Sequence, residues 1–331
     1  SMTGDLTDLD GTVVPFEDFE EYTLGATLGG PILKDRLFFF ANYDMVEETV
    51  VLEEPEFIPL QEEIDRVKEI AEGFGMEIGE VTDPGNQVVS DDKMLAKLSW
   101  NISDGQRLNV QYNRTVGERP IFTNFTGGGS TSFSSHWYGQ EHDNTKYSAE
   151  LFSNWTESFN SELRVSFNAY ERSSATNSDL PQVQVGRIDG VAGPNLSPEG
   201  SVYFGRPSTQ HTNNLSVDTT LLQWIGHFFL GDHTLTTGFN VERVDNLNLF
   251  IPDSRGRWRF ENTESFAVGD EGGVFGAANY NISIPAEGTD GAADWALTTY
   301  SLFAQDEWQV NPRFNLQFGL RIDLPTVDTA P

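Results

Sequence analysis

The chain has 331 residues, 51 acidic against 20 basic side chains, and a formal net charge of −31. Phosphate backbones would be repelled by such a surface, which excludes nucleic acid as a partner. The absence of cysteine removes disulfides, thiolate metal sites and cysteine nucleophiles together, and no stretch reaches the ~18 apolar residues of a membrane-spanning helix.

From the N-terminus, SMTGDLTDLDG lacks the basic and apolar regions of a signal peptide. Ser1-Met2 resembles the scar of an expression tag, and 1–19 is read as tag or linker. From residue 20 onward, apolar and polar residues alternate with period two, the signature of strands with one apolar face. Runs at 20–32 and 37–51 flank the turn LKDR at 33–36. In 93–102, Met94, Ala96, Leu98, Trp100 and Ile102 share one face, opposite Lys97, Ser99 and Asn101, with Leu95 the apolar exception. The 107–113, 144–157, 163–170, 233–251, 296–310 and 314–323 runs read the same way. The 209–230 run changes phase near Thr219–Leu222, which predicts a bulge or a misplaced strand limit. One segment departs from this period: in 59–75, Leu60, Ile64, Val67, Ile70, Ala71 and Phe74 recur at helical spacing, predicting a short helix on the barrel mouth.

These runs make ten candidate strands joined by two kinds of connection in strict alternation. Short turns fall at 33–36, 103–106, 158–161, 231–232 and 311–313. Long loops fall at 52–90, 119–143, 176–208 and 252–295, with a Gly/Ser-rich stretch at 121–136 read as mobile. An up-and-down antiparallel β-barrel or barrel fragment over 20–325, followed by a tail at 326–331, is the fold this predicts. All turns then lie at one end and all loops at the other, as in outer-membrane barrels. Phe38–Phe40, Trp100, Trp155, Phe159, Trp308 and Phe314 lie near the short turns, where an interfacial aromatic belt would sit. The opposite face, with Asn109, Gln111, Asn113, Asn168, Asn315, Gln317 and Arg321, would line a hydrated lumen suited to peptides or glycans.

Chemistry-bearing motifs are sparse. His136, Glu141, His142 and Asp143 form the densest set of potential metal ligands, but a six-residue His separation in a loop is not a zinc signature. Ser130 beside His136 offers a Ser–His pair, with Glu141 as a further carboxylate, and no G-x-S-x-G accompanies it. The runs Glu47, Glu48, Glu53, Glu54, Glu56 and Asp270, Glu271, Asp290, Asp294 suit calcium in oxygen-rich loops, without EF-hand spacing. These residues leave open a hydrolase of glycosidase or esterase type, acting through loop carboxylates or a loop Ser/His.

GATLGGPILKDRLFFFANYD resembles the early barrel segment of the TonB-dependent outer-membrane receptors, in particular the Oar-like branch. Gly29, Gly30, Pro31, Phe38, Phe39, Phe40, Asn42 and Tyr43 carry the likeness. The hairpins at 93–115 and 300–323 resemble the same family. The resemblance implies an outer-membrane transporter for a glycan, peptide or metal chelate, whose long loops bind the ligand and whose barrel lies in lipid. It also implies a preceding plug domain and a barrel of about 22 strands, so this chain reads as a partial barrel lacking the plug. Ten strands leave two edges to close inward, to fold back or to associate with another copy.

Overall fold

The computed structural model describes residues 20–50, 55–81, 87–126, 128–193, 196–268 and 277–328. Residues 1–19, and Glu53, Glu54, Asp270 and Glu271 of the acidic runs, lie outside them. Strands β1 (Glu21–Leu33) and β2 (Leu37–Val50) form the first hairpin, and the connection after it holds β3 (Phe57–Pro59) and helix α1 (Gln61–Gly73). The second hairpin is β4 (Gln87–Ser103) with β5 (Gln106–Ile121), followed by the short β6 (Ser130–Ser132). The third is β7 (Tyr138–Thr156) with β8 (Phe159–Thr176), followed by β9 (Gln182–Ala192) and β10 (Glu199–Phe204). After β11 (Asn213–Leu230) and β12 (His233–Phe250) come β13 (Arg257–Phe260), helix α2 (Thr263–Val268) and β14 (Ala277–Asn281), before the last hairpin of β15 (Ala292–Asn311) and β16 (Phe314–Val327).

The ten long strands make one antiparallel sheet in the order β1-β2-β4-β5-β7-β8-β11-β12-β15-β16. The sheet is open, so of the two expected forms, barrel or barrel fragment, the chain adopts the second. The third short turn sits at 157–158 instead of 158–161, and the strands reach further into the connections than their alternation alone marks. The phase change in 209–230 is not a bulge. β11 pairs with β12 in unbroken register from Asn213↔Phe250 to Leu230↔His233, and Ser208–Gln210 is instead a turn of 3-10 helix. The alternation falters because Leu221 stands on the polar face beside Ser166 and Glu242, while Leu222 lies on the apolar one.

Cross-strand partners share a face, so the register sorts the side chains. One row runs Leu98, Val110, Ala149, Val165, Leu222, Val241, Tyr300 and Leu324. The adjacent row on the other face runs Phe40, Lys97, Gln111, Ser148, Ser166 and Leu221. The apolar face is the open one. Leu98 is 44% exposed and Leu320 is 69% exposed, the reverse of a water-soluble sheet. On β4 the apolar run from Ile102 to Met94 measures about 26 Å along the strand, or about 20 Å along the normal at the usual ~40° tilt, close to an outer-membrane apolar band. Polar groups end it: the Tyr43 hydroxyl donates to Asp92, and Arg114 grips Asp143 at 2.6 and 3.1 Å.

A second, smaller sheet holds the buried core. β14, β13, β9, β10 and β6 lie side by side, and β3 pairs with β9. Each of the four long connections supplies buried residues: Phe57, Ile64, Val67, Ala71 and Ile78 from the first, Phe133 from the second, Val183 to Phe204 from the third, and Phe260 with Phe266 from the fourth. The helical spacing in 59–75 is thus realised, but α1 packs Ile64, Val67 and Ala71 into this core. Phe57 fits over Gly190 and Gly200, where an added Cβ would come within 2.5 and 2.6 Å of its ring. The 121–136 stretch is not a loose tip, since Thr131, Ser132, Phe133 and His136 are buried.

Candidate functional site

Period-two alternation in three short strands gives the small sheet two unlike faces. Val183, Val185, Val202, Phe204 and Phe260 point into the core. Between them, Gln182, Gln184, Ser201, Tyr203, Arg257 and Arg259 take the other face. Register aligns them in two rows. Tyr203, Gln184, Arg259 and Asn279 form one, and Gln182, Arg257 and Asn281 form the other.

This face lines a cavity of about 400 Å³, closed at one side by Thr123, Asn124, Ser208 and Thr209. A neighbouring cavity of about 590 Å³ shares Arg259 and Asn279 and adds Arg187, Glu199 and Glu261. The Gln182 side-chain oxygen accepts the Ser208 backbone N–H at 2.6 Å, and the Gln184 amide donates to Ser201 Oγ at 3.2 Å. Arg257 lies 3.4 Å from Asp253, whereas exposed Arg259 has no ion-pair partner among the described residues. Burial pushes the Tyr203 phenol up, opposed by the two guanidiniums, so it remains a hydrogen-bond donor at neutral pH. Guanidinium forks, amides and a phenol in a half-open cavity can bind a polar solute with carboxylate or hydroxyl groups.

The residues singled out from sequence are dispersed. His136 is fully buried; its Nδ1 lies 2.7 Å from the Gly205 carbonyl and its Nε2 3.2 Å from Asn124 Oδ1. Burial lowers its pKa to about 4, so the ring is neutral. Nδ1 then donates to the Gly205 carbonyl, and Nε2 faces Asn124 Oδ1. Both ring nitrogens thus face partners other than Ser130, which sits on β6 opposite Ser201. The His136 ring stacks on Tyr203, 5.6 Å between centroids, so it supports the site from behind. Strand alternation puts His142 on the face opposite Glu141 and Asp143. His142 lies on the polar face and reaches Asp91 at 3.4 Å. It does so across Gly117, where a Cβ would meet both side chains within 2.3 Å. Asp143 takes the apolar face with Arg114, and Glu141 accepts from Ser173 at 3.3 Å. Among the described residues no three His, Asp or Glu side chains converge as a metal site. Residues 182–185, 201–204 and 257–260, reading QVQV, SVYF and RWRF, hold the alternation that marks Arg257, Arg259 and Tyr203; their shortness within long loops hid it.

The neutral His136 makes the small sheet sensitive to acid. Its folded pKa lies below the ordinary 6.5, so the unfolded chain binds the proton first as pH falls. Stability is full above about 6.5 and falls toward pH 4, by about 3 kcal/mol in all. Burial shifts His211 in the same direction. Hydrogen exchange of peptides covering 131–137 and 183–204 should rise across this window in the wild type and more shallowly in His136→Gln.

Residues 71–330 match the family described as Outer membrane beta barrel domain. Among curated proteins, none matches the sequence. The fold is similar to that of the outer membrane transporter YddB from Escherichia coli, with a TM-score of 0.59 and 11% identity over 95% of this chain and 35% of that one. P. aeruginosa FpvA, in a structure with bound pyoverdine, aligns with a TM-score of 0.53 and 12% identity over 93% of this chain and 35% of its own. The siderophore receptor PirA from Acinetobacter baumannii aligns at 0.50 and 13% identity, over 93% and 36%. This chain therefore spans about a third of the length of these transporters. With its sheet register, exposed apolar face and family match together, the chain belongs to the outer membrane beta barrel domain family and resides in the bacterial outer membrane.

Proposed function

We propose that the chain is part of a TonB-dependent receptor of the Oar-like branch, whose folded long connections capture a polar solute outside the cell for import. The observation that carries this reading is the Arg257, Arg259, Gln182, Gln184 and Tyr203 face, held on a sheet with its own buried core. A rigid platform keeps the cost of ordering on binding low. The edges of β1 and β16 would take the further strands of the complete barrel.

Calorimetry on the protein refolded in detergent micelles tests the reading. The probes are ferric citrate, a neutral hexasaccharide, its carboxylated counterpart and a hexapeptide. At least one should bind. The Arg257→Ala, Arg259→Ala double variant should weaken it roughly a hundredfold, as loss of two charge-assisted contacts does. Absence of binding by all four, or an unchanged affinity in the double variant, contradicts it.

A further inference from the structure

The polar face of the large sheet carries a second set of cations. Lys97 shares a row with Phe40, Gln111 and Ser148; Lys146 shares the next with Asn42, Leu95, Asn113 and Asn168; Lys93 shares the one after with Asp44, Thr115, Asn144 and Tyr170. Strand rise and spacing place Lys93 and Lys97 about 13 Å apart along β4, with Lys146 about 10 Å across on β7. Among the described residues, the lysine with an ion pair is Lys68, with Glu80. Three unpaired ammonium groups on one face are notable where carboxylates outnumber cations 51 to 20. Asp44, directly opposite Lys93, is instead bonded by the Asn42 amide.

The surroundings specify the partner further. Amides offer donor and acceptor side by side, the complement of a sugar hydroxyl. Gln111 and Asn113 already hold one another at 3.1 Å, which fixes their orientation. Phe40 and Tyr170 bracket the three rows with aromatic faces. The ammonium groups add recognition of carboxylates at regular intervals. Arg257 and Arg259 repeat this pairing of cation and amide on the small sheet.

We infer that the captured solute is an acidic oligosaccharide of the uronate type, and that Lys93, Lys97 and Lys146 line its path along the large sheet. The inference rests on the capture reading above. The test compares hexagalacturonate, maltohexaose and hexaglutamate by calorimetry in micelles, on the wild type, the Lys97→Gln, Lys146→Gln double variant and the arginine double variant. Hexagalacturonate should bind at least roughly tenfold tighter than maltohexaose at low salt, with an advantage that shrinks as salt is added. The lysine variant should lose roughly tenfold in that affinity. Both lysines are on a solvent-facing surface, so the variant keeps the fold, checked by its circular dichroism. Equal affinity for the two sugars, or an unchanged lysine variant, overturns the inference. If the arginine variant still loses binding in that case, the capture reading stands. Binding of hexaglutamate in place of the sugar overturns the assignment to a glycan; no binding by any of the three overturns the inference, and overturns the capture reading as well only where ferric citrate also fails to bind.

Discussion

Replacing Phe57 by alanine should unfold the small sheet and leave the large one standing. Phe57 is fully buried over Gly190 and Gly200, and a Phe→Ala change in such a core costs about 3–5 kcal/mol. The core draws on all four long connections at once, so the loss is shared by segments far apart in sequence. The ten-stranded sheet does not depend on it, because its strands are held by hairpin ladders with neighbours in chain order. Hydrogen exchange should therefore rise sharply in peptides covering 57–78, 131–137 and 183–204, while 160–170 keeps its protection. Uniform loss of protection would show that the two sheets fold as one unit.

The second large effect concerns two leucines on one strand. Leu98 lies on the apolar face of β4 midway between Ile102 and Met94, and Leu95 lies on the polar face between Asn42 and Asn113. In lipid vesicles, Leu98→Arg should destabilise the protein by about 2–4 kcal/mol, the cost of a cation near the middle of the apolar band. Leu95→Arg faces water, and its cost should stay within about 1 kcal/mol. Urea unfolding followed by tryptophan fluorescence gives both values. A water-soluble sheet with the apolar face inside its core would also penalise Leu98→Arg, but would do so equally without lipid. The leucine contrast should therefore shrink when vesicles are replaced by a neutral detergent of short chain, whose thin micelle lets water nearer the middle of the apolar face.

Much of the large sheet was legible because its code is short-range. Met94, Ala96, Leu98 and Trp100 alternate with Leu95, Lys97 and Ser99 as the register requires, and alternation between turns carries strand, face and topology together. The helix at Gln61–Gly73 was legible for the same reason, since Ile64, Val67 and Ala71 repeat at its period. The small sheet was not. Its strands are three to eleven residues long, come from four separate connections, and include parallel pairs that no hairpin turn announces. The site followed it into obscurity: Arg257 and Arg259 become neighbours of Gln182 and Gln184 only when two connections more than seventy residues apart in sequence align. His136 stands out in the sequence for the chemistry of its ring, whereas its burial, which stacks it on Tyr203, depends on that same long-range packing.

The apolar face of the ten-stranded sheet meets lipid, and the polar face meets water. The chain has no cysteine, so single cysteines carrying a spin label can be placed without background at each position from 93 to 100 in vesicles. The labels at 94, 96, 98 and 100 should collide with dissolved oxygen and be shielded from a water-soluble nickel chelate, and those at 93, 95, 97 and 99 should show the opposite. Equal nickel accessibility at both sets, with no period of two, would contradict the assignment of this sheet to the membrane.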